Sequence, residues 1–327
     1  MTRAYTRGEP EGDHAMASDQ AELLKGMMRQ FKEAALGRAD GPPITVAQMR
    51  GSDAMMATMA TEPTGVTYTE VDANGVPAMW VTPDGPTDGT AGDRVDDSKV
   101  VMYLHGGGYV IGSIVSHARL VGHIAKAAGI RALNVDYRLA PEAPHPAAVT
   151  DAVTAYRWLL DQGIAADKIV IAGDSAGGGL TIATLLAIRD QGLAHPGAAV
   201  TLSPWIDLEG TGDSMTRRAH VDLMVDGPAL KVMADMYLNG QSSHDPLAAP
   251  LHADFTGLPP IYIQVGDEET LLDDSSRLAE RAGAAGVDVR IEVFPEMQHV
   301  FQMSVGNLPE ADEAVAKIGA YIRQALS

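Results

Sequence analysis

Cysteine is absent from this 327-residue chain, which excludes disulfide frameworks, thiolate catalysis and cysteine-ligated metals. Basic residues are scarce. The 24 Lys and Arg stand against 43 Asp and Glu, a formal charge of −19 at pH 7, so nucleic acid and anionic membranes are poor partners. The same imbalance gives a solvated acidic surface. Long apolar runs are missing too, since nothing approaches the ~20 apolar residues that a bilayer span needs. The opening stretch MTRAYTRGEPEGDHAMASDQ lacks the apolar core of a signal peptide, and the expected location is cytoplasmic. What is present, 46% hydrophobic and 20% charged residues, is ordinary for a soluble globular protein with a large core.

Residues 1 to about 17 are polar and expected to be disordered. A helix should begin near Asp19, which forms a D-x-x-E capping pair with Glu22. Leu23, Leu24, Met27, Met28 and Phe31 follow at helical spacing. GRADGPP (37–43) breaks that helix, and a second Met-rich helical piece runs near Val46 to Met59. From Val66 the period changes to that of strands, with a hairpin turn at Asn74-Gly75 and a surface loop over 83–94. Strand patterns then alternate with helices: KVVMYLH (99–105), IRALNVDY (130–137), KIVIAG (168–173), AAVTLSP (198–204), IYIQVG (261–266) and VRIEVFP (289–295). Such alternation predicts an α/β fold, a mostly parallel sheet with helices on both faces. The rhythm breaks between Trp205 and Pro260, where only helical pieces rich in Met occur. An insertion of that size reads as a lid or cap.

Two glycine clusters carry the chemistry. KIVIAGDSAGGGL (168–180) is a strand-to-helix turn crowded with glycine. It is not a P-loop, since no lysine follows, and G-x-G-x-x-G fails because the third position is Ile182. G-x-S-x-G fits at Gly173 to Gly177 and puts Ser175 on a strained turn, where only small neighbours leave room for a nucleophile. The helix that follows aims backbone N–H groups at any anion forming beside it. YLHGGGYVIG (103–112) also follows a strand, and its glycines suit backbone donors to an oxyanion. His105, directly ahead of them, is read as a brace for the loop.

A nucleophilic serine needs a base, and the base needs an orienting carboxylate. With a nucleophile elbow the chain order is serine, acid, histidine. Asp267, Glu268 and Glu269 follow a late strand, and His299 alone lies beyond them. His195, His220, His244 and His252 precede the acid and read as loop histidines, and His145 precedes the serine, so chain order excludes it. No dense ligand spacing predicts a catalytic metal, and no cofactor is expected.

HGGGYVIGS, VDYRLAPEAPHPAAVTDA, IAGDSAGGGL, LSPWIDL, DPLAAPLHADFTGLPPIYIQVG and HVF together resemble the hormone-sensitive-lipase-like esterases, the bacterial family IV group of the α/β-hydrolases. The resemblance runs from about Val66 to Phe301. It implies an eight-stranded, mostly parallel sheet with an antiparallel second strand, under a helical cap. The cap would comprise residues 1–60 and an insertion at about 205–250, the catalytic domain residues 61–327. Ser175 is the implied nucleophile and His299 the base, with Gly107, Gly108 and Ala176 as oxyanion donors. Two departures stand out. His145 occupies a place where the family often has phenylalanine, and the family's usual aspartate is Glu269 here, which makes Glu269 the implied acid and Asp267 the alternative. The implied reaction is hydrolysis of short-chain acyl esters. A lactonase or amidase could use the same triad, and plant gibberellin receptors of similar sequence bind without catalysis but have lost the histidine that this chain keeps. Relatives often pair through the edge formed by the last strand and helix, so a homodimer is expected.

Overall fold

The computed structural model describes residues 17–36, 45–85 and 95–327. The expected disorder before about residue 17, the break at 37–43, most of the 83–94 loop and the side chain of Phe31 lie outside them.

Eight strands form one sheet: β1 (Val66–Asp72), β2 (Pro77–Pro83), β3 (Val100–Leu104), β4 (Arg131–Val135), β5 (Ile169–Asp174), β6 (Ala198–Leu202), β7 (Ile261–Gly266) and β8 (Val289–Phe294). Their order is β1-β2-β4-β3-β5-β6-β7-β8. β2 runs antiparallel to both its neighbours, and every pair from β4 to β8 is parallel. β3, β5, β6 and β7 are buried along their whole length, as their unbroken apolar runs require of strands covered on both faces. β1, at one edge, alternates between half-buried and exposed residues.

Side chains of successive strand residues enter two cores. Met102, Leu104, Ile169 and Ile171 face α5 (Ala147–Asp161), α6 (Ser175–Asp190) and α9 (Leu272–Ala284). Val101, Tyr103, Val170 and Ala172 face α4 (Ile114–Ala128) and α10 (Pro309–Ala325). α6 is buried on all sides from Ser175 to Ile188, the mark of a helix enclosed by its own fold. α4 is bounded as its sequence dictates, by a Ser113–Ser116 capping box and a left-handed Gly129.

Among the described residues three helices precede the sheet: α1 (Asp19–Leu36), α2 (Val46–Arg50) and α3 (Asp53–Met56). The expected single piece over Val46–Met59 is thus two short helices. α1 begins at Asp19 as expected, but the cap is not the Asp19–Glu22 pair. Its first turn is capped by Ser18, whose Oγ accepts the Ala21 N–H at 3.2 Å, and Ser18 is itself fixed by the Glu310 carboxylate at 2.7 and 2.9 Å. A hydroxyl tethered by a distant acid outcompetes the Asp19–Glu22 pair. Between β6 and β7 come α7 (Ser214–Arg217) and α8 (Gly227–Leu238) and, among the described residues, no strand.

The two strand-free segments meet. Leu23, Met27 and Met28 of α1, Met55 of α3 and Met224 of the insertion line a cavity of about 790 Å³. Lys25 of α1, nearly buried, reaches Glu268 after β7 at 3.0 Å. No helix among the described residues is long and apolar enough to cross a membrane.

Candidate active site

The C-terminal ends of the parallel strands set out the site. Ser175 follows β5 with φ of +52°, a left-handed conformation that is uncommon for a residue with a side chain. The turn that enforces it leaves no room around it: a Cβ on Gly177 would collide with the carbonyls of Leu104 and His105. Register then does the positioning. β3 pairs with β5 so that Leu104 stands opposite Gly173, which sets the glycine loop beside the serine turn.

Asp174 joins the two loops. Its Oδ1 accepts the Gly106 N–H at 3.0 Å and the Tyr103 hydroxyl at 2.9 Å, and its Oδ2 lies 3.4 Å from Nε2 of His117. Burial alone would raise its pKa, but His117 and the Tyr103 hydrogen bond outweigh it and hold the group below the ordinary value. Within the glycine loop, Gly107 has φ of +114°, and its carbonyl accepts from Val110 and Ile111 N–H at 3.0 and 2.9 Å. Gly108 (φ +61°) lies under the Met233 side chain of α8, which a Cβ there would strike. Ala176, wholly buried, opens α6 next to Ser175. His105 is also wholly buried. Its Nδ1 is 2.8 Å from the Gly106 carbonyl, and its ring stacks on Tyr137 at 4.3 Å. Burial, with His117 beside it, lowers its pKa to about 3, so it stays neutral and braces the loop.

His299 lies past β8, 9% exposed. Its Nε2 is 2.9 Å from Ser175 Oγ, and its Nδ1 is 2.7 Å from Glu269 Oε2. A carboxylate only accepts, so the ring proton belongs on Nδ1 and Nε2 is left to accept from the serine. Burial opposes protonation of His299, but the hydrogen bond and charge of Glu269, with Asp222 and Asp174 further off, prevail and raise its pKa above the usual 6.5. The other oxygen of Glu269 accepts from Gly266 N–H at 2.7 Å and from Ser203 Oγ at 2.8 Å. Asp267 is engaged elsewhere: its Oδ1 accepts the Glu296 N–H at 2.6 Å, closing the turn after β8, and burial raises its pKa. Glu268 pairs with Lys25 and Gln298.

His145 stands at the base of α8, with Nδ1 at 3.2 Å from the Tyr237 hydroxyl and Nε2 at 3.3 Å from Asp245. It joins the loop before α5 to the insertion. Sequence reasoning missed Ser203, Asp222 and the tether role of Asp174. Asp222 accepts both the N–H and the hydroxyl of Thr270, at 2.7 and 2.9 Å, next to Glu269. Ser203 stands at the carboxyl end of β6, beside the strand that leads to the acid, a neighbourhood that only the sheet order reveals.

A buried serine at a strained turn, an imidazole and a carboxylate in hydrogen-bonded sequence, over a mostly parallel eight-stranded sheet, define a serine hydrolase of α/β-hydrolase type. Comparison with known proteins agrees. The family profile described as alpha/beta hydrolase fold matches residues 101–303. An acetyl-hydrolase of Streptomyces hygroscopicus is 47% identical over 229 residues, covering 70% of this chain and 77% of the relative. An ethyl acetate hydrolase of Pseudomonas putida is 31% identical over 291 residues, 85% of this chain and 89% of the relative. A crystal structure of an esterase from the bacterial hormone-sensitive lipase family superposes with a TM-score of 0.87 at 43% identity, covering 96% of this chain and 100% of that one. The chain belongs to the α/β-hydrolase family and, within it, to the bacterial hormone-sensitive-lipase-family esterases, which makes it an enzyme of the carboxylic ester hydrolase class.

Proposed function

We propose that the protein hydrolyses short-chain acyl esters, with Ser175 as nucleophile, His299 as general base and Glu269 as the acid that orients it. The observation that carries this reading is the unbroken chain from Ser175 Oγ through His299 to Glu269, at 2.9 and 2.7 Å. Nε2 of His299 takes the serine proton as Oγ attacks the ester carbonyl. The Gly107, Gly108 and Ala176 N–H groups receive the oxyanion. The imidazolium then protonates the leaving alcohol, and water activated by the same nitrogen releases the acid from the acyl-enzyme.

The N-terminal residues 1–60 and the insertion at about 205–250 act as a cap over the catalytic residues 61–327. Contact between Met233 and Gly108 supports this, as does the cavity that α1, α3 and the insertion line together. Met233 packs closely over Gly108 beside the proposed oxyanion donors, which supports small acyl groups over bulky ones. The names of the two relatives point the same way, one an acetyl-hydrolase and the other an ethyl acetate hydrolase. β8 forms the free edge of the sheet and exposes Val293, which supports pairing of two copies along that edge.

Turnover of p-nitrophenyl acetate, butyrate, octanoate and palmitate by wild type and Ser175→Ala tests the reading. Rates should fall with chain length, and the variant should be inert toward all four. Equal rates in the variant would remove the serine from the mechanism, and palmitate turned over fastest would overturn the substrate class.

A further inference from the structure

The insertion between β6 and β7 has its two ends close together, and the residues that meet there are chemically distinctive. Glu209 stands near its start, His244 near its end, and His252 in the turn over 250–252 that leads toward β7. One nitrogen from each imidazole and one oxygen of Glu209 all lie within 4.8 Å of one another. Nδ1 of His244 is 3.8 Å from Oε1 of Glu209, and the two rings lie with centroids 4.3 Å apart. Nε2 of His252 is closed off from solvent and has no hydrogen-bond partner among the described residues. Glu209 Oε1 also accepts from Ser243 Oγ at 2.7 Å. None of these groups takes part in the chain from Ser175 to Glu269.

We propose that Glu209, His244 and His252 bind a divalent transition-metal ion, of which zinc is the representative. Two imidazoles so close repel when both are protonated, and when neutral each offers one nitrogen lone pair to a cation. A carboxylate adds the charge that draws a cation. Imidazole nitrogen selects Zn²⁺, Ni²⁺ or Cu²⁺ over Mg²⁺ and Ca²⁺, which prefer all-oxygen sites. At tetrahedral angles, bonds of about 2.0–2.1 Å put ligand atoms about 3.3 Å apart. Donors already within 4.8 Å need only rotamer adjustments to reach that spacing. Glu209 and His244 are exposed and His252 half-buried, so the adjustment disturbs no core packing.

Such an ion would bridge the start of the insertion, its end and the turn before β7. It would clamp the base of the segment that carries α8 and, through it, Met233 above Gly108. Its role is structural. Water fills the remaining coordination, and no step of acyl transfer passes through the metal.

Tag-free, chelator-stripped protein is melted alone and with ZnCl2, NiCl2 or MgCl2. Zinc and nickel at about a hundredfold excess over Kd should raise the midpoint by about 3–5 °C, and magnesium should not. His244→Ala and His252→Ala should abolish the rise, whereas Ser175→Ala should retain it, which separates this site from the catalytic one. Electron paramagnetic resonance of the Cu²⁺ form should show coupling to two nitrogens in wild type and to one in His244→Ala, with circular dichroism confirming that both are folded. No shift with either metal, a shift that survives in the double His244→Ala/His252→Ala variant, or a Cu²⁺ spectrum without nitrogen coupling would each overturn the proposal.

Discussion

Ser203 donates its hydroxyl to Glu269 at 2.8 Å while accepting the backbone N–H of Val300 at 3.2 Å. One side chain at the end of β6 therefore fixes both the acid and the residue that follows His299. The arrangement is costly to build, since Ser203 and Val300 both have left-handed backbone angles, φ +46° and +48°, and Val is a poor residue for that region. Ser203→Ala leaves Gly266 N–H as the one remaining donor to Oε1, the Glu269 oxygen turned away from His299, among the described residues. A hydrogen bond to a charged group contributes about 1.5–3 kcal/mol, part of it in the transition state, so kcat should fall about 10-fold with little change in KM. An unchanged kcat would show that Gly266 suffices to position the acid.

The acid itself is tested by a pair of amide substitutions. Glu269→Gln cannot hold His299 in the required tautomer or stabilise the imidazolium, and should lose at least ~10²-fold in kcat while remaining folded. Asp267→Asn removes a carboxylate bound to Glu296 N–H, which an amide oxygen can replace, and should lose far less. Rates in the opposite order would make Asp267 the triad acid.

The pH profile follows from the balance at His299. Its pKa is raised, burial notwithstanding, because Glu269 favours the imidazolium, and the serine proton can be accepted only by the neutral ring. kcat/KM should therefore rise along an acidic limb whose midpoint lies above 6.5. Glu269→Gln removes the main raising influence and leaves burial to act, so the residual activity of that variant should show its midpoint displaced to lower pH. An identical midpoint in both proteins would mean that the limb reports another group.

The sequence announced the parts of the site that depend on local geometry. Gly173 and Gly177 bracket Ser175 because the turn allows nothing larger, and the order of serine, acid and histidine along the chain reduced ten histidines to His299. What local pattern could not show was which carboxylate turns inward. Asp267, Glu268 and Glu269 are consecutive, and it is the path of the loop after β7, with Glu296 N–H capturing Asp267 and Lys25 and Gln298 engaging Glu268, that separates them. Ser203 was illegible for the same reason. Its hydroxyl matters because β6 lies beside β7, and adjacency in a sheet is not written in spacing. The cap of α1 followed suit, since Ser18 owes its place to Glu310, 292 residues away.

Asp274 offers a test of buried charge away from the reaction. It is completely enclosed in α9, where its Oδ2 accepts the N–H groups of Ile206 and Asp207, each at 2.9 Å. Its Oδ1 has no partner among the described residues. Burial pushes its pKa up to about 7, helped by the Asp207 charge and opposed by those two hydrogen bonds and Arg277. An unfolded aspartate titrates near 3.9. Between the two values the folded state holds the extra proton, so the stability this group contributes is full below about 3.9 and is lost as pH rises through about 7. Asp274→Asn keeps an oxygen for both N–H groups and cannot ionise. Compared with wild type, it should be more stable at pH 8 than at pH 5, by an amount on the order of 1–4 kcal/mol. Thermal melts of both proteins at the two pH values measure this as a double difference. If Asp274→Asn destabilises the protein equally at both, the carboxyl does not titrate in that window and its burial is tolerated without a raised pKa.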